Sequence, residues 1–135
     1  MKKQVAFCMS TLALALACSP ASSQEVFKVG LLTTLSGPGA AIGAEIRDGF
    51  ELGLNHSGGK LGGVDVALTV LDDQQKPMEG RQAVDRLVKR DKVDVITGMA
   101  FSNVLLPVMP TILNSDTVYI SANTGPADYA GERCH

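Results

Sequence analysis

Between Val26 and Ser121, short and almost wholly apolar runs alternate with longer stretches whose apolar residues recur every three or four positions. Val26 to Thr33 (VFKVGLLT) is such a run, and its near-continuous apolarity predicts a strand covered on both faces. A turn-rich loop, Thr34 to Gly39, follows. Ile42, Ile46, Gly49, Phe50, Gly53 and Leu54 then repeat at helical spacing, with Glu45, Arg47, Asp48 and Glu51 opposite. Glycine weakens a helix, so these glycines are expected to serve close packing on a sheet. Asn55 to Gly59 ends the helix.

Val64 to Leu71 alternates apolar and polar residues as a second strand. Pro77 suits the start of a second helix, whose stripe is Ala83, Val84, Leu87 and Val88. Its other face (Arg81, Asp85, Arg86, Lys89, Arg90) is charged and reads as solvated. A third strand spans Val93 to Thr97, and a helix covers roughly Val104 to Leu113, made irregular by Pro107 and Pro110. A fourth strand, Val118 to Ser121, precedes a stretch from Ala127 to His135 without usable periodicity.

Strand and helix alternating in this way imply an α/β fold, a doubly wound parallel sheet of βαβαβαβ order with helices on both faces. Ligands bind such sheets outside the carboxyl ends of the strands. The segments arriving there are Thr33 to Gly37, Asp72 to Gln74, Gly98 to Asn103 and Ser121 to Gly125, and three of the four are small, hydroxylic or glycine-rich. At Gly98 to Asn103 the chain leaves a strand and enters a helix, where exposed N–H groups and the helix dipole favour a carboxylate or phosphate. The plainer role for Ser102 and Asn103 is to cap that helix.

Composition narrows the partners. The 135 residues suffice for one modest domain. With 12 Lys+Arg against 14 Asp+Glu and no Trp, the chain offers neither a polyanion-binding surface nor a base-stacking platform, so nucleic acid is excluded. Lys2 and Lys3, the apolar run Val5 to Ala17 and the small residues Ala21-Ser22-Ser23 form a secretory signal peptide over 1–23, too short to span a bilayer. The mature chain is then 24–135, exported to the periplasm. Ala15-Leu16-Ala17-Cys18 resembles a lipoprotein box, although Ala15 is smaller than usual there. A lipid anchor at Cys18 is the minor alternative and the one link to a membrane. Cys134 is left as the single mature cysteine, and its expected partner lies in sequence beyond this chain.

Catalysis finds little support. No Ser-x-Gly elbow follows a strand, and His56 and His135 sit at a helix end and at the terminus, away from any nucleophile. Asp72-Asp73 could be half of a magnesium site, but such a pair more plainly ties a loop and caps a helix. Ser36 to Gly43 does not complete a Gly-x-Gly-x-x-Gly loop, and no zinc spacing occurs. No cofactor, metal ligand or catalytic residue is assigned.

Phe27-Lys28-Val29-Gly30-Leu31-Leu32 leading to Leu35-Ser36-Gly37-Pro38, then Asp72-Asp73, Gly98 to Ser102 with Pro107, and Ile120-Ser121-Ala122-Asn123 together carry a resemblance. In order and spacing they resemble the type I periplasmic binding proteins, specifically the leucine/isoleucine/valine-binding group that serves ABC importers. The resemblance implies two α/β lobes closing about a hinge on a ligand between them. Residues 24–135 would be a partial N-terminal lobe. It further implies a catalytically inert solute-binding subunit that takes an amino acid or similar small carboxylate and delivers it to ABC permease subunits.

The family's carboxylate-gripping serine falls on Ser102, the completing groups on Asn123, Thr124 and Gly125, and Phe101 lines the cleft with Ser36, Ile42, Ala100 and Asn103 around it. Ile42 stands where amino-acid binders carry an aromatic residue, which leaves aromatic acids and other small carboxylates equally open. Two other readings stay in view: the ligand-sensing domain of a receptor or regulator with this fold, and an exported α/β hydrolase. A sheet cut after its fourth strand, lacking the helix that would cover it, is expected to be marginally stable and to bind nothing tightly alone.

Overall fold

β1 (Val26–Thr33) is the strand on which the others are assembled. The structure, a computed structural model, describes residues 25–123, 125 and 129. The leader, Cys134 and Thr124 lie outside them. β1 pairs in parallel along its whole length with β3 (Val64–Asp72), from Val26↔Asp65 to Thr33↔Asp72. On its other side it pairs in parallel with β4 (Val95–Thr97), which pairs in parallel with β5 (Val118–Ile120). β2 (Lys60–Leu61) adds an antiparallel edge to β3, giving five strands in the order β2-β3-β1-β4-β5. The parallel sheet expected from the sequence is therefore present, with a two-residue antiparallel hairpin that the pattern did not reveal. Gly62 and Gly63 close that hairpin with φ of 57° and 87°, the left-handed pair that a two-residue turn requires.

The chain moves one way from β1 to β3, then back across β1 to β4 and on to β5. Right-handed crossovers then place α1 (Ala40–His56) on one face, and α2 (Pro77–Asp85) and α3 (Ser102–Leu113) on the other. α2 and α3 pack on each other and on the sheet, enclosing Leu32, Val84, Leu87, Ile96, Met99, Val104, Leu105, Val108 and Ile112. All are essentially inaccessible to solvent, and each such side chain contributes about 1.5–3 kcal/mol. The stripe read for the second helix is thus a core face, with Val88 packed at its margin. The α1 face is filled less completely. Beside α1, Phe27, Val29, Phe50, Leu61, Val118 and Ile120 line an open apolar groove of about 630 Å³.

Several boundaries differ from the sequence reading. α2 gives way after Asp85 to a π-helical segment, Arg86–Asp91, which Lys92 ends at φ 51°. The Val93 N–H then reaches back to the Leu87 carbonyl. The third strand's ladder is shortened to Val95–Thr97, and α3 starts at Ser102 and runs through both Pro107 and Pro110.

The glycines of α1 also divide unexpectedly. Gly49 and Gly53 face open space, so the close packing expected of them is not there. Gly43 has that role, because a Cβ on it would lie 1.8 Å from the Thr34 carbonyl oxygen. The contrast is testable by urea unfolding. Gly43→Ala should destabilise by about 1–3 kcal/mol through backbone overlap, whereas Gly49→Ala should stabilise by about 0.5–1 kcal/mol through helix propensity.

Candidate functional site

Four strand ends meet at one rim, and hydrogen bonds join each to the next. Thr34 Oγ1, in the loop after β1, donates to Asp73 Oδ1 at 2.5 Å. The Leu35 N–H donates to Asp72 Oδ1 at 2.8 Å, and Ser36 Oγ to Asp72 Oδ2 at 2.6 Å. These bonds lock the loop after β1 to the end of β3. The Gln74 and Gln75 N–H groups turn back onto the same carboxylates, Asp72 Oδ1 and Asp73 Oδ1, each at 2.8 Å. Both glutamines are held left-handed, at φ 53° and 57°.

This conformation aims the Gln75 carbonyl at the loop after β4, where it accepts from Asn103 Nδ2 at 3.1 Å. Asn123 Nδ2, beyond β5, donates to the Ala100 carbonyl at 2.9 Å. The Asp72-Asp73 pair therefore ties loops, as the plainer reading held. It does not cap α2 through its side chains: Lys76 is the N-cap, and Asp73 contributes only its carbonyl, which accepts the Lys76 N–H at 2.8 Å.

The rim surrounds the start of α3. Neither Ser102 nor Asn103 caps it. Phe101 does so in extended conformation, its carbonyl accepting from the Val104 and Leu105 N–H groups at 3.2 and 3.1 Å. Ser102 is the first helical residue and is exposed, and no acidic side chain occupies the first turn. The Phe101 ring lies against Gly39, where a Cβ would fall 2.5 Å from Cε2 and 2.6 Å from Cζ. Ile42, in the first turn of α1, is 43% exposed. Ala100 is buried and reaches the rim through its carbonyl alone. Ser36 and Gly125 are exposed at the surface.

Ser36, Phe101, Ser102, Asn103 and Asn123 are thus brought together. Two contributors escaped the sequence reading: the Gln75 carbonyl, for which no side-chain signal exists, and Gly39, whose Gly37-Pro38-Gly39 context suggested only a turn.

Chemically the rim offers a helix N-terminus, a hydroxyl, an amide and an aromatic ring. Among the described residues no three His, Cys, Asp or Glu side chains gather as a metal site, and no helix is long and apolar enough to cross a membrane. Desolvation pushes the Asp72 carboxyl up, but hydrogen bonds from the Ser36 hydroxyl and from the Leu35, Gln74 and Ser36 N–H groups outweigh it and leave the group below its ordinary value.

Because the folded value is lowered, ionised Asp72 stabilises the fold above its unfolded pKa, and that contribution is lost as pH falls through the folded pKa. Urea midpoints followed from about pH 6 down to about pH 2.5 should therefore fall less steeply for Asp72→Asn than for the parent. Parallel acid limbs would show that Asp72 does not contribute.

The comparisons with known proteins accord with this geometry. A periplasmic binding protein family model matches residues 26–135. The chain is 28% identical over 122 residues to the Leu/Ile/Val-binding protein BraC3 of Rhizobium johnstonii, covering 88% of this chain and 32% of that one. An ABC transporter substrate-binding protein from Sphaerobacter thermophilus superposes with a TM-score of 0.73 at 30% identity, over 78% of this chain and 28% of that one. A solute-binding protein of an ABC transporter from R. palustris, solved in complex with benzoate, gives 0.71 at 32% identity, over 78% and 29%. The chain spans less than one third of the length of each. With most of its residues inside the family model and its α/β lobe shared with the solved members, the chain belongs to the periplasmic binding protein family.

Proposed function

We propose that the protein is the solute-binding subunit of an ABC importer, without enzymatic activity. In this reading residues 24–135 form part of an N-terminal lobe that closes with a second lobe on an amino acid or similar small carboxylate. Residues 1–23 direct export to the periplasm, and the loaded protein docks on permease subunits in the membrane. A lipid anchor at Cys18 is the less favoured variant.

The observation that carries the reading is the joining of all four strand-end segments around the start of α3. Three inter-loop tethers, all made within the chain itself, hold Ser102 beside Phe101, Asn103 and Asn123. A preordered lip of N–H, hydroxyl and amide donors suits a carboxylate. The relatives' names support the same class, one being a Leu/Ile/Val-binding protein and another a solute-binding protein seen with benzoate. Ser102 is proposed to donate to the carboxylate, with the backbone near Asn123, Thr124 and Gly125 completing the grip, and with Phe101, Ser36, Ile42, Ala100 and Asn103 forming the wall.

Titration calorimetry on the complete exported protein tests the assignment, with L-leucine and benzoate as probes. Ser102→Ala should weaken the bound probe by about 1–3 kcal/mol, since a buried charged acceptor loses its donor. Unchanged affinity would remove Ser102 from the site.

A further inference from the structure

We propose that the carboxylate held at this rim is carried by a planar aromatic ring, and that the contact between Phe101 and Gly39 selects it. The inference rests on the small-carboxylate reading above and goes on to name the ligand class. Phe101 is half-buried at the lip, one residue before Ser102. Its ring edge is fixed where Gly39 leaves no Cβ and the ring tip occupies the space a methyl group would need. Gln75 Oε1 lies 3.0 Å from the same point, so the ring is bounded by two loops. Those loops are in turn tethered through Asp72, Asp73 and Asn103.

A flat apolar surface held in place next to a carboxylate grip suits a ligand whose own ring can stack or meet it edge to face.

The complete exported protein can be titrated with benzoate, cyclohexanecarboxylate and L-leucine. All three carry a carboxylate, and only the first carries a planar ring. Benzoate should bind at least tenfold more tightly than either of the others. Phe101→Leu, which keeps bulk but removes the ring, should reduce the benzoate/cyclohexanecarboxylate ratio at least fivefold. Gly39→Ala should do the same by displacing an intact ring, giving two independent variants should one fold poorly. Ser102→Ala should weaken all carboxylates and leave the ratio alone.

A preference for L-leucine, or a ratio unmoved by both Phe101→Leu and Gly39→Ala, overturns the ring inference. If Ser102→Ala still weakens binding in that case, the carboxylate reading survives. If none of the three probes binds, both fall together.

Discussion

A carboxylate enclosed at the end of a parallel strand calls for donors, and Asp73 Oδ1 is met by the Thr34 hydroxyl and the Gln75 N–H, while its buried Oδ2 has no hydrogen-bond partner among the described residues. That requirement sets much of the rim. Through Thr34 it decides how the loop after β1 leaves the sheet, and the carbonyl of the same residue is the surface on which Gly43 of α1 rests. Through Gln75 it twists the loop after β3 so that a main-chain carbonyl faces Asn103. Asp72 repeats the device one residue earlier, gathering the Leu35 N–H and the Ser36 hydroxyl. Two adjacent acidic residues thereby act on three loops, and their role is architectural.

The start of α3 is positioned by packing rather than by helix propensity. Pro107 and Pro110 each remove a backbone N–H from the helix interior, where a proline costs about 3 kcal/mol or more. Val104, Leu105, Val108, Met109 and Ile112 are buried against the sheet and α2, and that burial outweighs the lost bonds. A helix held by its core face cannot drift far along its axis. Its first turn, and Ser102 with it, stays in register with β4 and the tail after β5.

Where an element makes its own apolar signal, the sequence was sufficient. Val29 to Thr33 and the stripe Ala83, Val84, Leu87 are buried as their periods require, whereas Val26, Phe27 and Lys28, at the start of a strand expected to be covered on both faces, are exposed. The convergence of Ser36, Ser102 and Asn123 was also legible, since parallel topology alone sends strand ends to one side. What escaped depended on contacts between main-chain atoms or on what lies beyond a side chain. β2 is two residues long and owes its pairing to Gly62-Gly63, a turn signal passed over because the flanking run was too short to read. Gly43 and Gly49 look alike in sequence, and only the Thr34 carbonyl distinguishes them. The π-helical segment and the capping by Phe101 are local adjustments to tertiary packing, which periodicity does not encode.

The left-handed backbone at Gln74 and Gln75 has a consequence for capture. Non-glycine residues enter that region at an energetic penalty, so two in succession persist only because Asp72 and Asp73 claim their N–H groups. Relaxing either residue would withdraw a donor from a carboxylate and pull the Gln75 carbonyl away from Asn103. The lip is thus held taut by the chain's own hydrogen bonds. On the proposed solute-binding reading, a small molecule arriving at it loses its own freedom but does not have to immobilise the wall it lands on, which favours a tight complex.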